Sequence, residues 1–414
     1  MPGKTTRAGR ERERPLPVSS SLAVYSKFPA VAMSRQGDWD TMTTVVSETR
    51  SARYRHFTPQ GPMSSKQYTF HIGLPKTGTT TLQTCYFGSA TCGSLAYNPP
   101  EMLWALTEAI KLHDFDMLTD ADLRLLRQVI RRYEDDIPHE RIFISHEILS
   151  HRLGRFCLGD RGRVLKVLFP EATVVLVLRN QPDILRSLYE QFVRQHFVIA
   201  PEEMFLPFAC PTGEPLKDCL LIDVRQWDYA AACKSLRGLF EGRLHVFFYE
   251  SFPDLFALGE VILGLVGCRI NSPPQLTTPK LNRSYGAVAV RLTLALARFG
   301  LAFRASRGAN SRRVEDLAEQ AMRSRLVFDA PSVDAFLALA ERTDTVSREL
   351  DSRADALFRK LIRLAGKLGA HQPYRFPRPL REHLTSEAGL LNEGLHEVLA
   401  DTPIPEEYGD RRTR

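Results

Sequence analysis

The stretch Tyr68-Thr-Phe-His-Ile-Gly-Leu-Pro-Lys-Thr-Gly-Thr-Thr-Thr-Leu-Gln83 decides how this chain folds. Its first five residues, Tyr68 to Ile72, are typical of a β-strand and lead into a short Gly/Pro loop, after which a helix is expected to begin. Backbone N–H groups at a helix start have no intrahelical partners and carry partial positive charge. A strand, a glycine loop and a helix start in this order predict a loop that holds a phosphate group.

The position of the lysine separates this loop from those that bind nucleoside triphosphates. Gly73 and Gly78 have the four-residue spacing of the Walker pattern, but Thr79 stands where that pattern requires lysine. The lysine is Lys76, two residues before the second glycine, which suits a shorter anion with one 5′-phosphate and its attached group. The alternative interpretation is an ordinary Gly/Thr-rich turn before a helix.

A second candidate anion site follows an apolar run, Ala172–Leu178. Such a run predicts a strand buried on both faces of a parallel sheet. Arg179 comes at its carboxyl end, and Pro182 suits the first turn of a helix that carries Ser187 in its second turn. Open α/β sheets bind ligands at the carboxyl ends of their strands, so Arg179 and Ser187 are candidates to hold one anion. The alternative is a solvent-facing arginine and a surface serine.

Together the two segments resemble the superfamily of sulfotransferases that use 3′-phosphoadenosine 5′-phosphosulfate (PAPS), in its bacterial type. Pro75-Lys-Thr-Gly-Thr-Thr80 resembles the family's 5′-phosphosulfate loop, and Arg179 with Ser187 resembles its 3′-phosphate motif. The resemblance implies an α/β fold, a P-loop NTPase-like three-layer sandwich with a central parallel sheet and a helical C-terminal extension. It also implies PAPS as the sulfuryl donor and no metal. The residues that the resemblance implies to bind PAPS are Pro75, Lys76, Thr77, Gly78, Thr79, Thr80, Arg179, Ser187, Asn282 and Ser284.

The last two of these residues lie in the segment Leu281–Tyr285, which resembles a late loop of the family. That loop closes over the 3′-phosphate and the adenine. The Gly-rich closing loop of the cytosolic branch, with its Arg-Lys-Gly run, is not present here in that form. The sequence therefore departs from the family pattern in how the 3′-phosphate would be covered.

The candidate catalytic residues are Lys76, His146 and Glu147. Ile142–Ser145 predicts another short strand, with His146 and Glu147 at its carboxyl end. Sulfuryl transfer to a hydroxyl requires a base, and a histidine or a desolvated glutamate can have a suitable pKa. Adjacent residues at a strand end point to opposite sides, so one of the two is expected to serve. His146 is slightly favoured by its ordinary pKa, and Lys76 is expected to neutralise charge on the leaving oxygen.

Two other functions stay open at this point. A kinase or other phosphoryl-transfer enzyme on a related fold would depend on Mg²⁺ and ATP, but the missing Gly-Lys-Ser/Thr argues against it. A non-catalytic nucleotide-binding protein would bind without turnover, and Lys76 with the His146–Glu147 pair argues against that. The acceptor is expected to be a hydroxyl compound, and a carbohydrate is one candidate. His71, inside the first strand, is interpreted as a satisfied core histidine.

The chain has 414 residues, of which 43% are hydrophobic, and its pattern of strands and helices predicts the domain organisation. Strands near 68–72, 141–145, 172–178 and 243–249 alternate with helical patterns, which indicates a parallel α/β sheet. We expect the α/β core over 66–290, a helical part of the same domain over 291–370 and a C-terminal extension over 371–414. Residues 1–65 are expected to be a disordered N-terminal extension, and the alternative is that the start of the sequence is mis-assigned.

The net charge and the cysteines indicate the partners and the compartment. Five of the seven net positive charges fall in residues 1–62, which hold ten Lys/Arg and five Asp/Glu, so no nucleic-acid partner is expected. No segment is apolar and long enough for a transmembrane span. Seven cysteines are an odd number and form no CxxC pair, which favours reduced thiols in a cytoplasm over a disulfide framework or a zinc site.

Overall fold

A computed structural model describes most of the predicted α/β core and part of the C-terminal extension. The described residues are 66–89, 95–100, 102–103, 106–107, 118–152, 155–156, 158–194, 200–206, 221–269, 286–298 and 372–408. They all belong to the unit Gly61–Arg414. The predicted N-terminal extension, 1–65, and most of the predicted helical part, 291–370, lie outside the described residues.

Nine strands are present in the described part of the chain. They are β1 (Gln67–Gly73), β2 (Leu95–Tyr97), β3 (Arg141–Ser145), β4 (His151–Arg152), β5 (Arg155–Phe156), β6 (Thr173–Leu178), β7 (Phe205–Leu206), β8 (Ile222–Asp223) and β9 (Leu244–Phe248). Five of them form the central sheet in the order β2-β3-β1-β6-β9, and every neighbouring pair is parallel. The remaining strands form two small sheets, β4–β5 antiparallel and β7–β8 parallel.

The helices connect the strands of this sheet and continue into the C-terminal segment. They are α1 (Thr79–Thr81), α2 (Asp120–Asp136), α3 (Leu158–Leu168), α4 (Gln181–Arg194), α5 (Tyr229–Phe240), α6 (Leu255–Leu265), α7 (Ala287–Arg298), α8 (Arg378–Leu391) and α9 (Leu395–Val398). Side-chain caps define several starts: Thr119 forms a capping box before α2, and Asp228 and Asp254 accept from backbone N–H groups at the starts of α5 and α6.

Helices cover both faces of the central sheet. On one face Phe70 packs against Phe169, which directly follows α3, and a side chain at Gly162 of α3 would collide with Leu236 of α5. On the other face Phe87 packs on Phe143 of β3, and the cluster around it includes Leu82, Tyr86, Val175, Leu258 and Ile262. The predicted α/β fold, with a central parallel sheet between helical layers, is confirmed.

The four strands read from the sequence are all present, but β2 and α3 were not predicted. Leu95–Tyr97 is a half-buried edge strand of three residues, too short to show a periodic pattern. Helix α3 contains Gly159 and Gly162, which have poor helix propensity, and Leu236 packs so closely on Gly162 that a Cβ there would collide with it. Both elements depend on tertiary packing more than on local sequence.

The strand order determines where a ligand can bind. The chain leaves the central strand β1 toward β2 and β3 on one side, and later adds β6 and β9 on the other. In open α/β sheets such a change of direction leaves a crevice outside the carboxyl ends of the strands. Gly73 pairs with Val177, and His71 pairs with Ser145, so the loops after β1, β3 and β6 emerge side by side.

Candidate functional site

The loop after β1 leads into a helical stretch whose pitch changes along its length. Helix α1 continues as a π-helix over Leu82–Tyr86 and a 3₁₀ turn over Phe87–Ser89. Gly78 precedes α1 with φ 74°, a left-handed conformation that suits glycine, and a side chain there would also collide with Leu255. A Cβ on Gly73 would lie 2.3 Å from Oγ1 of Thr79. Both glycines are therefore required by the packing of this loop.

Lys76 has an unusual backbone conformation at the top of the loop. Its φ is 65°, in the left-handed region that an L-residue with a side chain rarely adopts. Such conformations cost on the order of 1–3 kcal/mol and persist only where surrounding contacts hold them. One such contact comes from the Arg179 guanidinium, which donates to the Lys76 carbonyl. The loop after β1 and the residue after β6 are thus joined directly.

The threonines of the loop have different roles. Thr77 is fully buried, and its hydroxyl donates to the Leu74 carbonyl at 2.7 Å and lies 3.0 Å from the Thr79 hydroxyl. Thr79 is also buried and lies within 3.4 Å of the same carbonyl. Thr80 is exposed. The first two hydroxyls stabilise the loop from inside, and the Thr77 N–H also donates to the Leu74 carbonyl, at 3.3 Å. An anion contact from Thr79 would therefore come from its backbone N–H.

Arg179 lies at the carboxyl end of β6 with an incompletely satisfied guanidinium. Its Cζ lies 5.0 Å from the centre of the Tyr249 ring, a cation–π contact. Its Nε is buried without a hydrogen-bond partner, and within the described residues no carboxylate forms an ion pair with it. A buried N–H donor is normally hydrogen-bonded. This side chain therefore has donor capacity left for an anion.

The backbone after β6 is held by residues that the sequence did not single out. Tyr229 is fully buried and donates from its hydroxyl to the Arg179 carbonyl at 2.7 Å. The N–H of Asn180 donates to Oε1 of Glu250 at 3.0 Å. Tyr229 lies in α5 and Glu250 in the turn after β9, and both elements follow β6 in the chain. The two partners are 50 and 70 residues away from the groups that they bind, so no local signal in the sequence could have indicated them.

Ser187 lies in the second turn of α4 and is half-buried. Within the described residues its hydroxyl makes no hydrogen bond. One turn later Glu190 is buried and accepts from the N–H of Tyr374 at 2.8 Å. Burial raises the pKa of Glu190, and Arg186 and Lys76 partly oppose this.

The candidate bases, His146 and Glu147, follow the end of β3. The backbone N–H of His146 donates to the His71 carbonyl at 3.2 Å, and Glu147 begins a 3₁₀ turn. Although Glu147 has substantial exposed surface, loss of solvation around its carboxyl raises its pKa, and the charge of Lys76 lowers it to a smaller extent. The structure thus brings Lys76, His146 and Glu147 to one edge of the sheet, beside Arg179.

A polar cluster lies directly below the end of β3. Asn98, with φ 41°, accepts from the Ser145 N–H at 2.8 Å and donates to the Ser145 carbonyl at 3.2 Å. Gln83 also donates to that carbonyl, at 2.7 Å. These two amides fix the peptide that precedes His146. Asn98 follows the strand β2 that the sequence pattern missed, so its role was missed as well.

His71 belongs to the same cluster and is only half satisfied. Its Nδ1 lies 2.7 Å from Oγ of Ser145, but its Nε2 is buried with no partner in the described part of the protein. Burial lowers its pKa to about 3, so the ring is neutral. The interpretation as a core histidine is right, since His71 is 0% exposed, but it is not fully satisfied.

Some of the predicted features cannot be placed, and one was wrong. Asn282 and Ser284 lie outside the described residues. Among the described residues, no group of three or more His, Cys, Asp and Glu is arranged to hold a metal ion. Cys85 and Cys233 are thiols, but Cys268 is disulfide-bonded, so the expectation of reduced cysteines throughout is wrong. An odd number and the absence of CxxC do not exclude one pair that folding brings together.

None of the described helices is both long and apolar enough to cross a membrane. A disulfide at Cys268 does not fit the reduced thiols from which the sequence predicts a cytoplasmic location.

Comparison with known proteins gives little guidance. No protein-family model matches the sequence, and no curated protein matches it. Among solved structures, the chain is similar to the crystal structure of a sulfotransferase from Alicyclobacillus acidocaldarius, with 17% sequence identity and a TM-score of 0.34. That match covers 51% of this chain and 85% of the other. At this level of similarity the function has to be argued from the residues of the site.

Proposed function

We propose that this protein is a sulfotransferase that moves the sulfuryl group of PAPS to an acceptor hydroxyl and releases adenosine 3′,5′-bisphosphate. The observation that carries the proposal is the pair of cationic groups at neighbouring strand ends. Lys76 follows β1, Arg179 follows β6, and the Arg179 guanidinium donates to the Lys76 carbonyl. PAPS is negatively charged at both its 5′-phosphosulfate and its 3′-phosphate, and two adjacent cationic positions match that distribution.

The 5′-phosphosulfate would be held by the loop between β1 and α1. Backbone N–H groups of Gly78, Thr79 and Thr80 at the helix start suit a phosphate group, and Gly73 and Gly78 keep the loop tight. Pro75 and Thr77 shape the loop from its buried side. Lys76 would neutralise charge on the oxygen that bridges phosphorus and sulfur as that bond breaks.

The 3′-phosphate would be held by Arg179 and Ser187. Within the described part of the chain, the Nε of Arg179 and the Ser187 hydroxyl make no hydrogen bond, so both would be available as donors to this phosphate. A 3′-phosphate distinguishes PAPS from ATP and AMP. Asn282 and Ser284 stay candidates for the same group.

Glu147 is the base that the site favours, with His146 as the alternative. A carboxyl group whose pKa is raised by lost solvation is a better proton acceptor near neutral pH than an ordinary glutamate. The acceptor hydroxyl would lose its proton to Glu147 as its oxygen attacks sulfur, while the bond from sulfur to the bridging oxygen breaks on the opposite side. The sulfuryl group thus passes to the acceptor, and adenosine 3′,5′-bisphosphate leaves with the bridging oxygen.

The proposal is tested by incubating the protein with PAPS and a panel of phenols, monosaccharides and acidic polysaccharides, with EDTA present. We expect acceptor-dependent release of adenosine 3′,5′-bisphosphate that is lost in Lys76→Ala and kept in Arg225→Ala, an exposed arginine paired with Asp223. A fall in kcat of about 100-fold or more in Glu147→Gln but not in His146→Gln would identify the base. ATP consumption that requires Mg²⁺, with no use of PAPS, would overturn the proposal in favour of a kinase.

A further inference from the structure

The C-terminal segment, residues 372–408, packs along helix α4, which carries Ser187. At its start, Tyr374 and Phe376 pack on the ring of Tyr189, with centroid distances of 5.5 and 5.6 Å. The N–H of Tyr374 donates to the buried carboxylate of Glu190. This end of the segment therefore lies against the middle of α4.

The middle of the C-terminal segment holds the first residue of α4. Gln181 and Asn392 are both buried and exchange two hydrogen bonds between their side-chain amides, of 2.7 and 3.1 Å. A reciprocal amide pair of this kind satisfies both side chains and fixes their orientation. The segment thus contacts α4 at its first turn and again beyond its middle.

The end of the C-terminal segment reaches the backbone of the Arg179 region. Tyr408 is 1% exposed, and its ring packs on Phe248 of β9 and on Tyr229, with centroid distances of 4.7 and 6.4 Å. Its hydroxyl donates to Oε2 of Glu250 at 2.7 Å. The other carboxylate oxygen of Glu250 accepts the N–H of Asn180. One carboxylate therefore connects Tyr408 to the peptide that follows Arg179.

The charge on Glu250 makes this connection strong. A partly buried carboxylate needs hydrogen-bond donors, and bonds to an ionised group are stronger than those between neutral groups. Burial raises the pKa of Tyr408 well above its usual value, so its hydroxyl keeps its proton and remains a donor. Without that donor, Glu250 would lose one of the two hydrogen bonds that its carboxylate accepts from described residues, and with it part of what fixes its orientation toward Asn180.

We infer that Tyr408 is a positioning residue of the 3′-phosphate site, acting through Glu250 and the Asn180 peptide on the placement of Arg179. The connection runs through four observed contacts: Tyr408 to Glu250, Glu250 to Asn180, Tyr229 to the Arg179 carbonyl, and Arg179 to the Lys76 carbonyl. This inference rests on the proposed function, because it assigns the Arg179 guanidinium to the 3′-phosphate of PAPS.

The test is the affinity of Tyr408→Phe for adenosine 3′,5′-bisphosphate and for AMP, measured by calorimetry on the full chain. The variant keeps the buried ring and removes only the hydroxyl. We expect its Kd for the bisphosphate to rise about 5- to 10-fold, the loss typical of one hydrogen bond, with an unchanged Kd for AMP. The matched control is Tyr374→Phe in the same segment, since within the described residues the Tyr374 hydroxyl makes no hydrogen bond; its affinities should equal those of the wild type.

A second variant keeps the inference open to refutation. Glu250→Gln should raise the same Kd, and adding Tyr408→Phe to it should cause little further loss, because both act through one contact. Additive losses, an unchanged Kd in Tyr408→Phe, or equal losses for the bisphosphate and AMP would overturn the inference. A wild-type protein that does not prefer the bisphosphate over AMP would refute the proposed function itself, whereas a preference that needs Arg179 but not Tyr408 would refute only this inference.

Discussion

The guanidinium of Arg179 donates a hydrogen bond to the backbone carbonyl of Lys76, which joins two loops that are 103 residues apart in the sequence. Arg179 follows β6, and Lys76 sits in a left-handed conformation after β1. The contact ties the conformation of the first candidate anion site to the position of the second. A ligand that engages Arg179 would therefore also affect the loop that carries Lys76.

The backbone strain at Lys76 should appear as a difference in folding stability between two variants of this residue. Lys76→Gly and Lys76→Ala both remove the ammonium, but only glycine adopts φ 65° without steric cost. Lys76→Gly should therefore be more stable than Lys76→Ala by about 1 kcal/mol, measured by urea denaturation. Both variants should lose sulfuryl transfer. Equal stabilities for the two would show that this conformation is not strained.

The raised pKa of Glu147 predicts that replacing this residue by glutamine stabilises the protein more at high pH than at low pH. Its pKa is raised in the folded protein, so ionisation costs stability as the pH rises from its usual value near 4.5 through the raised value. Glu147→Gln removes the charge and should increase Tm relative to the wild type at pH 8, with a smaller or no increase at pH 4. A Tm difference that does not change between these pH values would contradict the raised pKa.

His71 should make the protein sensitive to acid. Its pKa is about 3 in the folded state against 6.5 when unfolded, so the unfolded state binds a proton first and stability falls as the pH drops from 6.5 toward 3. The contribution of this one group is at most about 1.4 kcal/mol per pH unit. His71→Asn does not titrate and can still bond Ser145, so its stability should fall less steeply over this range. Parallel pH profiles of the free energy of unfolding would refute the assignment.

The sequence correctly predicted that four of the candidate residues follow strands of the central sheet. Lys76, His146, Glu147 and Arg179 come after apolar runs, and parallel strands place their carboxyl ends at one edge of a sheet. The partners that fix these residues could not be predicted, because Tyr229, Glu250 and Tyr408 approach from later elements. Asn98 was missed for a related reason, since the short edge strand before it has no pattern.

The direction of the threonine side chains was also beyond the sequence. The resemblance implied PAPS contacts from Thr77 and Thr79, but in the structure the hydroxyls of both lie near the Leu74 carbonyl. A tight glycine loop turns some of its side chains inward, and residue order alone does not tell which ones. The backbone groups of the loop remain the candidate phosphate ligands.

The most direct test of a PAPS site is the difference in affinity between adenosine 3′,5′-bisphosphate and AMP, measured by calorimetry in the presence of EDTA. We predict that the wild type prefers the bisphosphate and that Arg179→Ala raises the Kd for the bisphosphate about 10- to 100-fold, as expected for losing hydrogen bonds to a charged group, without changing that for AMP. Equal affinities for the two nucleotides in the wild type, or binding only of Mg-ATP, would contradict the account.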